Sequence, residues 1–164
     1  MQIKSLHIQN FKSVRELDIT NIENSLILVG KNNTGKTVVL DAIRLVMGGY
    51  VPVKSDFNEK KQNIEIGMTL EVTESDLKRF HANGIVSNYK RYDSWLRDFK
   101  EKLPGYVDGI LEFSCLVNYN GLIRYDDGFL KNNLNIPKVL PTVHFIDTTR
   151  NPDTFQDDLL LLQK

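Results

Sequence analysis

Eight consecutive residues, Gly30-Lys31-Asn32-Asn33-Thr34-Gly35-Lys36-Thr37, satisfy the spacing G-x-x-x-x-G-K-[ST] at every constrained position. Those residue types in that order suit the holding of a polyphosphate. Gly30 lets the chain turn sharply, and Gly35 allows the backbone to approach phosphate closely. The amides of residues 33–38, including those of Asn33, Thr34 and Val38, are expected to point inward as an anion nest at a helix N-terminus, where the helix dipole adds favourable potential. The Lys36 ammonium is expected to reach the β- and γ-phosphates. The Thr37 hydroxyl is placed to ligate Mg²⁺, which bridges two phosphate oxygens. The bland alternative is a glycine-rich turn with a chance lysine.

The flanking elements favour the phosphate loop. Ser25 to Val29 is a short unbroken apolar run, which fits a strand buried on both faces at the centre of a parallel or mixed sheet. From Thr37, apolar residues at 39, 40, 43, 46 and 47 predict an amphipathic helix, stopped by Gly48-Gly49. Upstream, alternation predicts strands over 2–9 and 15–20, joined by a turn from Asn10 to Val14. Downstream, Ile64 to Val72 alternates strictly and predicts a strand. Thr73 and Asp76 have capping-box spacing and open a short helix to about His81. A second helix is expected over Tyr92–Leu103, closed by Pro104-Gly105. Ile110–Tyr119 and Leu122–Tyr125 flank Asn120-Gly121, a strong two-residue hairpin signal. Val143–Ile146 reads as one more short strand, and Thr154–Gln163 contains four consecutive leucines, 159–162. Segments 50–62, 83–91 and 126–141 read as loops.

The 164 residues support one ordinary domain, or part of a larger one. At 41% hydrophobic and 26% charged, the chain has material for a core and is not disordered by composition. Twenty-one basic residues balance 21 acidic ones, which argues against a globally basic nucleic-acid binder but leaves local patches possible. Cys115 is the only cysteine, so an internal disulfide is impossible. No run suits a spanning helix or a signal peptide, so a cytoplasmic protein without membrane association is expected.

Kinases, GTPases, AAA proteins and ABC-type ATPases all use such a loop. The wider pattern narrows the choice: Ile3, Leu6 and Ile8, then Asn10-Phe11-Lys12-Ser13, Leu17 and Ile19, the run Leu26 to Thr37, and Leu40, Ala42 and Ile43. It resembles the N-terminal end of ABC-type ATPase heads in the RecF, structural-maintenance-of-chromosomes (SMC) and OLD (overcoming lysogenization defect) families. The resemblance is dense over 1–48 and covers 49–164 only loosely, at Ser55-Asp56-Phe57 and at Phe145 to Arg150. The Asn32-Asn33 pair is more typical of the OLD-like group. The fold it implies is α/β, a P-loop nucleoside triphosphate hydrolase of the ABC-head type, with this chain a single N-terminal portion carrying a mixed sheet. ATP and Mg²⁺ are the implied cofactors. Lys12 would lie beside the phosphates, with an exposed lysine in a tight turn as the alternative, and Asn32 would approach the γ-phosphate. In the intact protein, two heads would close on ATP in a homodimer, with DNA as a partner.

Such heads also need a Walker B strand, a signature sequence and a histidine switch, none of which follows residue 37. The expectation is therefore the first part of a larger ATPase, whose remaining half supplies them; the leucine run ending at Lys164 reads as an interrupted helix. Val143 to Asp147 has a Walker B outline, but no Glu follows, and a strand end is the favoured reading. Two alternatives remain. One is a self-contained kinase or GTPase with Asp147 on the metal; the other is a non-catalytic module that docks through leucines 159–162. His7, His81 and His144 show no metal-binding spacing. Tyr89 to Tyr92 interleaves aromatic and basic residues, for which a solvated helix start is favoured over a nucleic-acid contact.

Overall fold

The computed structural model describes residues 1–23 and 35–143. The strand expected over 25–29, most of the phosphate loop, Asp147 and the leucine run lie outside the described residues. Alternation builds the strands β1 (Gln2–Phe11), β2 (Val14–Ile19), β3 (Ile64–Glu71), β5 (Ile110–Val117) and β6 (Ile123–Asp126), with a two-residue β4 (Tyr106–Val107). The helices are α1 (Lys36–Val46), α2 (Glu74–Ala82), α3 (Tyr92–Lys102) and the one-turn α4 (Ile136–Val139). A 3₁₀ turn spans Lys54–Asp56, within a segment expected to be loop.

The strands run β2-β1-β3-β5-β4, with β6 beside β5. Every described pairing is antiparallel; the parallel component of a mixed sheet was expected from the 25–29 segment. One face is apolar. Leu6 and Ile8 of β1, Ile64, Ile66, Met68 and Leu70 of β3, and Leu111, Phe113, Cys115 and Val117 of β5 are all buried there. They form a single core with Val39, Ala42, Leu45 and Val46 of α1, and with Leu77, Phe80, Trp95 and Phe99 of the α2–α3 pair. Each fully buried Val, Leu, Ile, Phe or Met among them contributes about 1.5–3 kcal/mol. The opposite face is a polar trough of about 630 Å³, lined in part by His7, Asp18, Glu65, Glu112 and Asp126.

Helix ends follow local chemistry. Thr73 and Asp76 form the expected capping box at the start of α2. Gly48, at φ 78°, ends α1 in a Schellman motif: its amide donates to the Leu45 carbonyl at 3.1 Å and that of Gly49 donates to Arg44 at 2.7 Å. The β5–β6 turn is wider than expected. Gly121 is left-handed but Asn120 is not, and the Asn118 carboxamide accepts the amides of Asn120 and Leu122 at 3.0 and 2.9 Å. An Asx turn thus replaces the two-residue hairpin.

Candidate nucleotide-binding site

Helix α1 begins at Gly35, whose φ of 85° and ψ of 0° belong to the left-handed region. Among the described residues a Cβ there would meet nothing within 4 Å, and the left-handed backbone itself favours glycine. Among the described residues no side chain caps this end of the helix, and its first turn has no acidic residue. The first four amides of a helix lack partners within the helix itself, so its start presents donors and positive potential. Lys36 is half-buried, Thr37 is exposed, and Val38 and Val39 are buried. The buried valines fix α1 on the sheet while its first residues stay accessible. This end suits an anion and, through the Thr37 hydroxyl, a hard cation such as Mg²⁺. Gly30, Asn32, Asn33 and Thr34 lie outside the described residues.

Lys12 lies in the β1–β2 turn, at φ 53°. Its Nζ donates to Asp41 Oδ2 on α1 at 2.5 Å. It also sits 4.6 Å from the ring centre of Tyr50 and 5.4 Å from that of Phe11. Burial alone would lower the Lys12 pKa, but the bonds to Asp41 and Tyr50 outweigh it and raise it above the ordinary lysine value. Lys12 is therefore a held cation rather than a loose surface lysine. Tyr50 is itself fixed. Its hydroxyl donates to Asp56 Oδ2 at 2.9 Å, and its ring stands edge-on to Phe11 at 6.0 Å.

Asn10, only 2% exposed, explains the rest of the turn. Its Nδ2 donates to the carbonyls of Glu59 and Gln62 at 2.9 and 2.8 Å, and its Oδ1 accepts the Glu59 amide at 2.5 Å. The Lys12 amide donates to the Asp56 carbonyl at 2.6 Å. The segment Asn10–Ser13 is thereby fastened to residues 56–63. Asp41 and Tyr50 are not singled out by the sequence, and Asn10 and Asp56 stand there only within the family pattern, without a role. The available signal was an acid within an otherwise apolar helix face: Asp41 is 7% exposed.

Two minor expectations gain detail, the Tyr89–Tyr92 stretch being the exposed helix start that was favoured. His7, Glu16 and Asp18 bring potential ligand atoms within 4.8 Å of one another through the β1–β2 register, a grouping that linear spacing does not reveal. The bond from His7 Nδ1 to Asp18 at 2.7 Å accounts for part of it. Tyr92 stacks on Trp95 and donates to Glu74 at 2.9 Å, so it belongs to packing. No helix among the described residues is long and apolar enough to cross a membrane.

Comparison with known proteins gives the family and the fold. Residues 1–140 match the family model described as AAA ATPase domain. The chain belongs to the AAA ATPase domain family. Its fold is that of an ABC-type, SMC-like P-loop ATPase head. Two solved structures share it at 15% identity. One, from work on ATP-driven dimerization and DNA stimulated activation of SMC ATPases, has a TM-score of 0.54 and aligns over 97% of this chain and 96% of its own. The other, an SmcHead bound to the C-winged helix domain of ScpA, has a TM-score of 0.50 and aligns over 84% of this chain and 39% of its own. An uncharacterized protein of Methanocaldococcus jannaschii is 40% identical over 45 residues, a match spanning 27% of this chain and 20% of that protein. The family match supports nucleotide binding as the coarse reading of the site.

Proposed function

We propose that this chain binds ATP with Mg²⁺ at the start of α1, as the Walker A half of an OLD-like ATPase head. The observation that supports the reading is the left-handed start of α1 at Gly35, followed by Lys36 and exposed Thr37. Helix amides and Lys36 would bind the phosphates, and Thr37 would hold the metal. The metal would supply charge neutralisation between phosphate oxygens. Gly30, Asn32, Asn33 and Thr34 would complete the cradle. Walker B, the signature and the switch histidine would come from the rest of a larger head, and two heads would close over ATP to govern DNA binding or cleavage. The full dimerisation of SMC-like heads is what makes a second copy the expected partner.

The test is calorimetric titration of Mg-ATP. Wild type should bind, Lys36→Ala should weaken binding at least about tenfold, and Thr37→Ala should remove the Mg²⁺ dependence. Binding that is unchanged in both variants would sink the assignment. Hydrolysis by the chain alone should be slow, because the water-polarising carboxylate is not among its recognisable motifs. Turnover of several per second that depends on Lys36 would refute that part.

A further inference from the structure

The pairing of Lys12 with Asp41 joins the β1–β2 turn to the helix that starts the phosphate site. Asp41 lies four residues after Thr37, which places it one helical turn along the same side of α1. A lysine stem is long and freely rotating, so a displacement of about 6 Å along the helix is within its reach. The first turn of α1 holds no acid, so Asp41 is the first carboxylate along the helix from its phosphate-binding end.

The place where Lys12 rests has three walls: the Asp41 carboxylate, the face of Tyr50 and the Phe11 ring. The Tyr50–Asp56 bond and the Lys12 amide bond to Asp56 keep those walls in register with the turn. Departure of Lys12 does not strand Asp41 as a lone buried charge, since Arg44 Nη1 lies 3.5 Å from its other oxygen.

We infer that Asp41 is a positioning residue that holds Lys12 in reserve, and that nucleotide phosphate competes with Asp41 for it. The inference rests on the ATP reading above and adds a regulation to that site. Binding energy gained by phosphate from Lys12 is reduced by what the Asp41 pair gives up. The carboxylate thereby sets a threshold: a ligand with more phosphate charge draws Lys12 away, and one with less leaves it parked.

The experiment is a double-mutant cycle on the full chain, with Mg-ATP affinity measured by calorimetry for wild type, Asp41→Asn, Lys12→Ala and the double variant. Asp41→Asn should tighten binding about fivefold, Lys12→Ala should weaken it, and the gain from Asp41→Asn should vanish when Lys12 is absent. Circular dichroism checks that each variant folds. A second readout needs no substitution. The Lys12 side-chain amine resonance in the wild type should shift on adding Mg-ATP, and shift less with Mg-ADP. A folded Asp41→Asn that binds no tighter, a gain that persists without Lys12, or a Lys12 resonance unmoved by saturating Mg-ATP overturns this inference alone. If wild type shows no Mg-ATP binding at all, the underlying reading fails and this one with it.

Discussion

Asn10 occupies a left-handed backbone position, at φ 58°, between two fully buried apolar residues, Ile8 and Phe11. Strict alternation would send Phe11 to the polar face; the turn at Asn10 returns it to the core. Asparagine tolerates that conformation, and its carboxamide also binds the 59–63 segment. Asn10→Ala loses both services and should cost about 2–4 kcal/mol in denaturant unfolding. Asn10→Gly, which restores the conformational freedom alone, should recover only part. Gly105 makes the opposite demand. A Cβ there would lie 2.7 Å from Asp127 Cβ and 2.8 Å from the Glu112 carbonyl, so backbone would have to move. Gly105→Ala should therefore destabilise by about 1–3 kcal/mol, read from the urea midpoint at unchanged slope.

Helix α2 ties Met1, the residue before β1, to its own N-terminus. The Met1 ammonium donates to Asp76 Oδ2 at 2.7 Å, and the Thr73 amide donates to the same oxygen at 3.0 Å. Burial alone would raise the Asp76 pKa, yet those bonds outweigh it and hold the carboxyl below the ordinary aspartate value. A depressed folded pKa means the stabilisation is complete above the unfolded value and is lost as pH falls through the folded one. Asp76→Asn should cost about 1–2 kcal/mol at neutral pH, and the gap from wild type should close under acid in thermal melts. At this scale much was legible from sequence. The periodicities of β1, β3, α1 and α3 and the box at Thr73 are local signals, and the structure keeps them. Tyr106–Val107 was missed because two residues carry no period, and Ile136–Val139 because one turn with Pro137 looks like a loop. The Asn120-Gly121 turn was misjudged because the Asn118 side chain competed successfully for the same amides. At the site, Gly35, Lys36 and Thr37 announce themselves by spacing, whereas Asp41 and Tyr50 meet Lys12 only through tertiary packing.

The assembled molecule places its one thiol where nothing reaches it. Cys115 is fully buried on the core face, and burial pushes its pKa up to about 12. Alkylation at pH 8 should thus be slower than that of an unfolded thiol by orders of magnitude, and should follow global opening. Mg-ATP at about one hundred times its dissociation constant should slow labelling further, by about 2.7 kcal/mol of linkage. Labelling that is fast in native buffer would mean that β5 opens locally. The pairing of β1 with β3 has a consequence for how the chain comes into being. Ile8 faces Ile66, so the first strand finds its central neighbour only after the phosphate loop and α1 have been made. Residues 30–37, the proposed phosphate loop, lie in sequence on the arc that this pairing closes. On the ribosome, the arc cannot shut until β3 has emerged, and closures of such long range are slow. A nascent chain halted before Ile64 would expose the apolar side of α1 without its sheet.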